Sequence, residues 1–270
     1  MVTQKLSQWI RQYSRLTWIL LFCYTARVLV TLLPSHGYLH PDEFFQFTEP
    51  IGKLVGKWQA QLTWEWTSQR PLRSVFFPYL LISPLFASVR WLFGPDQVVC
   101  GYLLLVLPRL LFTLLSFSAD FAVYQLHVLT RLPRVKEALL LHATSYLVFT
   151  YMTRTLTNCI EYWLFAWLLV TLVDCSRQRV RSTYVGRIAV ILGLGIWSRA
   201  TFAVFAAYPV YHWLTLDRRP QRKFIGNLKL AALKALRLFG CLLPVFLGLI
   251  VADTCFYRPD FRLKIVSKFH

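Results

Sequence analysis

The sequence predicts an all-α protein that crosses a membrane several times. The chain has 270 residues, of which 56% are hydrophobic and 16% aromatic, and its mean hydropathy is +0.48. A soluble domain of this length cannot hide so much apolar side chain, because much of a globular surface must face water. The apolar residues also form runs of membrane-spanning length, separated by short basic loops.

The net charge of +18 follows from 30 Lys and Arg residues against 12 Asp and Glu residues. Such an excess can indicate nucleic-acid binding. Here the positive residues cluster in short loops between apolar runs, which is typical of loops that stay on the cytoplasmic side of a membrane. We therefore expect no nucleic-acid partner, and contact with anionic lipid headgroups as a secondary role. The clusters are Arg177, Arg179, Arg181 and Arg187, then Arg218, Arg219, Arg222 and Lys223.

The first apolar run, Leu16–Leu33, is predicted to be a retained transmembrane helix with its N-terminus in the cytosol. Lys5, Arg11 and Arg15 precede it, as in a secretory signal, but no small-x-small cleavage site follows. Arg27 interrupts this run, and the sequence does not explain it.

Applied along the chain, the positive-inside rule predicts about nine spans. Residues 34–74 form a long loop on the far side, Val75–Phe93 returns to a cytosolic turn at Gly94-Pro95, and Val98–Leu115 leads out again. The remaining predicted spans are Ala119–Leu129, Ala138–Tyr151, Ile160–Val173, two short helices within Gly186–Leu216, and Leu230–Val251. The two short helices should meet near Trp197–Thr201, because both flanks of that run are basic.

This path places many ionisable residues on the non-cytosolic side, where they outline one polar cavity. Charges at membrane depth are expensive and usually mark function. An alternative for each is structural, since an ion pair such as Arg154–Glu161 could simply hold helices together. The residues are His40, Asp42, Glu43, Arg73, Asp120, Arg154, Glu161, Arg199 and Asp253.

The most reactive segment in this set is His40-Pro41-Asp42-Glu43. Pro41 suits the first turn of a helix, so Asp42 and Glu43 should occupy that turn and point about 100° apart. They could merely complement the helix dipole. A carboxylate in a partly apolar cavity is also suited to be a general base that deprotonates a hydroxyl attacking an activated sugar.

Other polar residues are candidates for binding a substrate. Arg73 could hold a phosphate through its planar fork, or snorkel as an interface anchor. Arg154, Asn158 and Glu161 recur at i, i+4 and i+7, so in a helix they would share one face. No Gly-rich phosphate loop is present, which favours a lipid-carried donor over a nucleotide sugar. Trp58, Trp64 and Trp66 could form an interfacial belt or stack on a sugar.

The six cysteines show no metal-ligand spacing, so we expect no metal site. Cys159 and Cys255 fall near the same predicted face, but spacing alone does not predict a disulfide between them.

Several segments together resemble the family 22 glycosyltransferases of the GT-C superfamily. The heptapeptide His40-Pro41-Asp42-Glu43-Phe44-Phe45-Gln46 is the most specific of them, and it resembles the branch of the family that adds the fourth, side-branching mannose of the GPI glycan. The further similar blocks follow in the same order: residues 73–78, 154–161, 197–201, and Asp253-Thr254 with Tyr257.

The resemblance implies a GT-C type helix bundle over residues 1–270, with its active site in the lumen of the endoplasmic reticulum. It implies transfer of mannose from dolichyl phosphate mannose to a mannose of the GPI precursor, with inversion and without a cofactor. Asp42 would be the base, with Glu43 beside it. We add Arg73 and Arg199 as ligands of the donor phosphate, and His40, Arg154, Asn158, Glu161 and Asp253 as further substrate contacts.

Three alternatives remain at this stage. Close relatives act on the third GPI mannose or on N-glycan precursors, and a transporter could also use a polar cavity with a broken helix. A membrane scaffold subunit is the third. Enzymes of this family are usually considerably longer, so we expect the chain to be the N-terminal part of one.

Overall fold

The described part of the chain is mostly helical. The computed structural model describes residues 2–33, 37, 39–56, 59–67, 72–94, 101–177, 182–215 and 224–257, and it contains no β-strand among them. This confirms the predicted all-α class. The helices are α1 (Val2–Leu32), α2 (Glu49–Ile51), α3 (Trp64–Thr67), α4 (Phe76–Phe93), α5 (Gly101–Thr130), α6 (Val135–Ala143), α7 (Thr157–Arg177), α8 (Ser182–Ser198), α9 (Thr201–Thr215) and α10 (Phe224–Tyr257), with π-helical turns at Phe44–Thr48, Gly52–Gly56 and Leu147–Tyr151.

Five of the described helices are long and apolar enough to cross a membrane, which confirms a polytopic membrane protein. They are Arg15–Leu32 within α1, α4, α5, α7, and Leu228–Tyr257 within α10. The predicted turn between Leu115 and Ala119 is wrong, because α5 runs through it without a break. The segment Ser116-Phe117-Ser118 contains no Gly or Pro to end a helix, and the Ser116 hydroxyl bonds back to the Thr113 carbonyl (2.6 Å).

The chain divides into two compact units. Unit 1 comprises residues 1–61 and 81–159, and unit 2 comprises residues 62–80 and 160–270. The single transmembrane domain expected for residues 1–270 stays a prediction.

In unit 1, α5 runs antiparallel to α1, and α6 packs against both. The Tyr102 hydroxyl near the start of α5 donates to the Leu32 carbonyl at the end of α1 (2.7 Å). Lys136, just beyond the end of α5, donates to Thr17 in the first half of α1 (2.9 Å). The prediction that Val98–Leu115 runs in the same direction as the first helix is therefore wrong.

A buried charge cluster joins these three helices and explains Arg27. The Arg27 side chain is fully buried, and its Nη1 donates to Asp120 Oδ2 (2.7 Å) and to Ser116 Oγ (3.0 Å). His142 Nδ1 lies 2.5 Å from the other oxygen of Asp120. Asp120 thus neutralises a cation near the C-terminal end of α1, where an unpaired charge would be costly. Its predicted place in a polar cavity on the non-cytosolic side stays a prediction.

In unit 2, the predicted pair of short helices around Arg199 is confirmed. α8 ends at Ser198 and α9 begins at Thr201. Glycines allow α8 to approach its neighbours closely. A Cβ on Gly193 would lie 2.6 Å from a methyl carbon of Val245 in α10, and one on Gly195 would lie 2.4 Å from the Phe202 ring in α9.

Breaking the Arg27–Asp120 pair should destabilise unit 1. We expect Asp120→Ala to cost about 3–5 kcal/mol, because it leaves a buried guanidinium without its carboxylate. Thermal unfolding of the protein in detergent measures the loss. Thr25→Ala, which removes an exposed hydroxyl from α1, is the control. Equal unfolding temperatures for the Asp120→Ala variant and the wild-type protein would contradict this account.

Candidate active site around the acidic motif

The acidic motif begins a helix, as predicted. The Glu43 amide donates to the His40 carbonyl (3.0 Å), and the Phe44 amide donates to the Pro41 carbonyl (3.1 Å). Asp42 and Glu43 therefore lie in the first turn, and the helix continues through the π-helical turn Phe44–Thr48.

Glu43 is held in the interior of unit 1. Its side chain is 2% exposed, and Oε1 lies 2.7 Å from Arg109 Nε and 3.4 Å from Arg154 Nη1. The Glu43 carbonyl accepts a hydrogen bond from the Thr155 hydroxyl (2.7 Å). Two guanidinium groups and a hydroxyl, from α5 and from the segment before α7, thus fix one residue of the acidic pair.

Asp42 has the opposite environment. Its side chain is 38% exposed, and its closest ionic neighbour is the exposed His40, whose Nδ1 lies 3.6 Å from Asp42 Oδ1. The Asp42 amide also donates to His40 Nδ1 (3.3 Å). The first turn therefore separates a buried, paired carboxylate from an accessible one on a fixed backbone.

Further polar groups continue along this helix. The buried Gln46 accepts a hydrogen bond from the Thr157 hydroxyl through Oε1. Three side-chain atoms along it, Glu43 Oε2, Gln46 Nε2 and Glu49 Oε2, are buried without a hydrogen-bond partner among the described residues. Burial raises the pKa of Glu49 above its usual value of 4.5.

The predicted helical face of Arg154, Asn158 and Glu161 is wrong. α7 begins only at Thr157, because Thr155 and Thr157 direct their hydroxyls to the acidic-motif helix instead of continuing a helix backwards. Arg154 pairs with Glu43 in unit 1, whereas Glu161 pairs with Arg199 in unit 2. The alternative in which Arg154 and Glu161 pair with each other stays untested, and Asn158 lies exposed in the first turn of α7.

In unit 2, Asp253 organises the start of α4. Its Oδ1 accepts hydrogen bonds from the Ser74 hydroxyl (3.0 Å) and the Val75 amide (3.1 Å). Its Oδ2 accepts one from Trp197 Nε1 (2.9 Å). Both oxygens of Asp253 thus bind protein donors, which makes it a cap for α4, and its predicted role as a substrate ligand stays a prediction.

Arg73 is engaged in a similar way. Its Nε and Nη2 each lie 3.1 Å from an oxygen of Glu65, so the planar fork predicted for a phosphate faces a carboxylate. The Tyr257 hydroxyl donates to the Arg73 carbonyl (2.7 Å). Nearby, Trp66 is buried, so its predicted place in an interfacial belt is wrong; Trp64 is exposed. Trp58 lies outside the described residues.

Glu161 and Arg199 meet at the break between α8 and α9. Arg199 Nε lies 3.8 Å from Glu161 Oε2, and the Arg199 side chain is 30% exposed. The Thr201 hydroxyl donates to Glu161 Oε1 (2.7 Å).

The structure therefore places His40, Asp42, Glu43 and Arg154 in unit 1, and Arg73, Glu161, Arg199 and Asp253 in unit 2. The single polar cavity expected for all of them stays a prediction. Sequence reasoning missed Arg109, although a lone arginine after Pro108 in an apolar helix is a signal of a buried partner. Among the described residues no group of His, Cys, Asp or Glu could hold a metal ion, and Cys159 and Cys255 carry free thiols.

Double-mutant cycles should show that the buried Glu43–Arg109 pair couples more strongly than the partly exposed Glu65–Arg73 pair. We expect Glu43→Gln and Arg109→Met to couple by about 1.5–3 kcal/mol in unfolding free energy, because each single change leaves a buried charge. The matched control is Glu65→Gln with Arg73→Met, a partly exposed pair that should couple by about 0.2–1 kcal/mol. Equal coupling in both cycles would show that Glu43 is not anchored as described.

Glu49 should make stability depend on pH. Its folded-state pKa is raised, so its contribution to stability is full below the unfolded pKa and is lost as the pH rises through the folded pKa. We expect Glu49→Gln to raise the unfolding temperature at pH 7, where the carboxylate is ionised, and to leave it unchanged at pH 4. Asp42→Asn, which removes an exposed carboxylate from the same helix, is the control. An unchanged unfolding temperature at pH 7 would contradict the burial of an ionised Glu49.

The proteins that this chain is similar to agree with the resemblance of its acidic motif to family 22 glycosyltransferases. The family model described as "Alg9-like mannosyltransferase family" matches residues 18–267. The human protein named GPI alpha-1,2-mannosyltransferase 4 is 41% identical over 203 residues, which cover 70% of this chain and 34% of that protein. The GPI mannosyltransferase 4 of Aspergillus oryzae is 33% identical over 262 residues, covering 92% of this chain and 45% of the relative.

The corresponding protein of Saccharomyces cerevisiae is 29% identical over 211 residues, covering 72% of this chain and 38% of the relative. The chain thus spans less than half the length of each of these relatives. No solved structure matches it. A match over nearly the whole sequence, together with similarity to the same kind of enzyme in animals and fungi, shows that the chain belongs to the Alg9-like mannosyltransferase family.

Proposed function

We propose that this protein acts in GPI-anchor biosynthesis, transferring mannose from dolichyl phosphate mannose to the GPI precursor as its fourth mannose. The names of the human and fungal relatives support the pathway and the acceptor. A lipid-linked donor agrees with a polytopic membrane protein. Its place would be the membrane of the endoplasmic reticulum, with the acidic motif in the lumen.

The observation that carries this proposal is the difference in exposure and pairing between Asp42 and Glu43. A general base must reach the proton that it removes and must be held in place by its surroundings. Asp42 is accessible, while the next residue, Glu43, is buried and bound by Arg109 and Arg154. The ion pair of Glu43 therefore fixes the backbone from which Asp42 projects.

In the proposed reaction, the Asp42 carboxylate accepts the proton of an acceptor mannose hydroxyl. The oxygen of that hydroxyl then forms a bond to C1 of the donor mannose. The bond between C1 and the phosphate oxygen breaks, and dolichyl phosphate leaves with the electron pair. Attack opposite to the leaving group inverts the anomeric centre. The reaction as written needs no redox cofactor and no metal.

The donor phosphate carries negative charge that a cation should neutralise as the bond breaks. Two arginines are expected for this role. Arg199 lies at the break between α8 and α9, 3.8 Å from Glu161, and its side chain is 30% exposed. Arg73 binds both oxygens of Glu65 at 3.1 Å, and its side chain is 25% exposed. Both stay predicted ligands of the donor phosphate. Contacts of His40, Asn158 and Glu161 with either substrate stay predictions.

Two enzymatic alternatives use the same chemistry on other acceptors, the third GPI mannose and the N-glycan precursors. The names of the relatives favour the fourth GPI mannose. The helix break at Arg199 was also compatible with a transporter, but membership in a mannosyltransferase family favours the enzyme.

Complementation tests the proposed function. Cells that lack GPI mannosyltransferase 4 would receive this chain, or a chimera in which residues 18–257 replace the matching segment of the human relative. We expect at least the chimera to restore four-mannose GPI precursors, as measured by chromatography of labelled lipids. Persistent three-mannose precursors despite normal levels of both proteins in the membrane would contradict the assignment. Correction of an N-glycan defect instead would redirect it.

The role of Asp42 can be tested in the same chimera. We expect Asp42→Asn to lower mannose transfer by about 10²–10⁴-fold, because it removes the base, and to leave the unfolding temperature unchanged, because the side chain is accessible. Lys53→Gln changes an exposed charge on the same helical segment and should retain full activity. Transfer by Asp42→Asn at the wild-type rate would exclude Asp42 as the base.

A further inference from the structure

A cavity in unit 2 lies between the last turns of α7 and the last turns of α9, away from the Glu161–Arg199 pair at the opposite ends of these helices. Its volume is about 620 Å³, within the range of cavities that bind small ligands. The lining residues used below are Leu169, Leu172, Ser176, Arg177, Tyr208 and His212.

The cavity changes from apolar to basic along its length. On α7, Leu169 and Leu172 line one part, and Ser176 and Arg177 line the part about 9 Å further along the helix. On α9, Tyr208 is followed one turn later by His212, and the two rings are 6.3 Å apart. Hydroxyl, guanidinium and imidazole groups thus gather where both helices end.

The polar part of the cavity would be unfavourable for an anion if the carbonyl groups at the end of α9 were unpaired, because a helix C-terminus carries partial negative charge. Lys234 of α10 removes this obstacle. Its side chain is buried, and Nζ donates to the carbonyls of Trp213 (3.0 Å) and Leu214 (3.4 Å). The ammonium group also lies 5.5 Å from the centre of the Trp213 ring. A cation from a third helix therefore neutralises the end of α9 behind the cavity.

The cavity also opens toward the surroundings of the helices. Tyr208 is 74% exposed, although it lies in a strongly apolar helix. α7 is long and apolar enough to cross a membrane, and it ends at Arg177. The sequence continues with two more arginines, Arg179 and Arg181, which lie outside the described residues. The basic part of the cavity is therefore at the end of a candidate span, where lipid headgroups lie.

We infer that this cavity binds one anionic phospholipid, with its phosphate beside Arg177 and His212 and an acyl chain along Leu169, Leu172 and Tyr208. A basic pocket between helices at a membrane face is the kind of site that holds anionic headgroups. The apolar part of the cavity can contact an acyl chain, so it should strengthen the binding of a phospholipid but not that of free phosphate. This inference does not depend on the proposed mannosyl transfer.

Native mass spectrometry of the purified protein tests the site. The protein in detergent is mixed with phosphatidylinositol or phosphatidylcholine, and the fraction that retains one lipid is measured. We expect at least fivefold greater retention of phosphatidylinositol. The double variant Arg177→Ala/His212→Ala should reduce it to the level of phosphatidylcholine. Arg187→Ala, which removes an exposed charge from α8 outside the cavity, should leave it unchanged.

Two further measurements decide between explanations. Arg177→Lys keeps the charge and should keep most of the preference for phosphatidylinositol; a loss as large as with the double variant would contradict an electrostatic site. Inorganic phosphate alone should not raise the unfolding temperature of lipid-free protein, and a rise that the double variant abolishes would show a phosphate site instead. Equal retention of both lipids, or equal losses in Arg187→Ala and in the double variant, would overturn the inference.

Discussion

The acidic motif depends on one buried ion pair, between Glu43 and Arg109 at 2.7 Å. Neither residue could remain charged in an apolar interior without the other. Arg109 reaches Glu43 from α5, and Arg154 reaches it from the segment before α7. The pair thus ties three parts of unit 1 together and sets the direction of the first turn after Pro41. Adjacent residues of a helix point about 100° apart, so the side chain of Asp42 faces outward while that of Glu43 is buried. The proposed chemistry depends on this difference in exposure.

The pattern of apolar runs and basic loops was sufficient to predict the helical class, the membrane environment and the break between α8 and α9. That break could be predicted because both flanks of the run are basic, which a single span would not satisfy. The direction and continuity of α5 could not. Its 30 residues exceed one bilayer crossing, and length alone suggested two short spans. Only the contacts of Tyr102 and Asp120 with α1 show a single antiparallel helix.

The candidate site was predicted in part. The position of Asp42 and Glu43 in a first turn followed from Pro41, a local effect. The helical face of Arg154, Asn158 and Glu161 failed because the partners of Arg154 and Thr155 lie more than a hundred positions earlier, at Glu43. Arg73 and Asp253 stay predicted substrate ligands; in the structure their partners are Glu65, Ser74 and Trp197, and these contacts hold the start of α4 and its preceding loop. The sequence thus indicates which polar residues are candidates for a site, whereas the partners of each one depend on how distant segments pack together.

The central claim is that the acidic pair is divided into an accessible and a buried half. Cysteine accessibility tests it most directly, using the variants Asp42→Cys and Gln46→Cys, since Gln46 is buried three residues after Glu43. Membranes are opened with mild detergent and treated with a membrane-impermeant maleimide, with the wild-type protein as background. The account predicts rapid labelling of the Asp42→Cys variant, and labelling of the Gln46→Cys variant only after unfolding. Equal labelling of both in the folded protein, or labelling of Gln46→Cys alone, would contradict it.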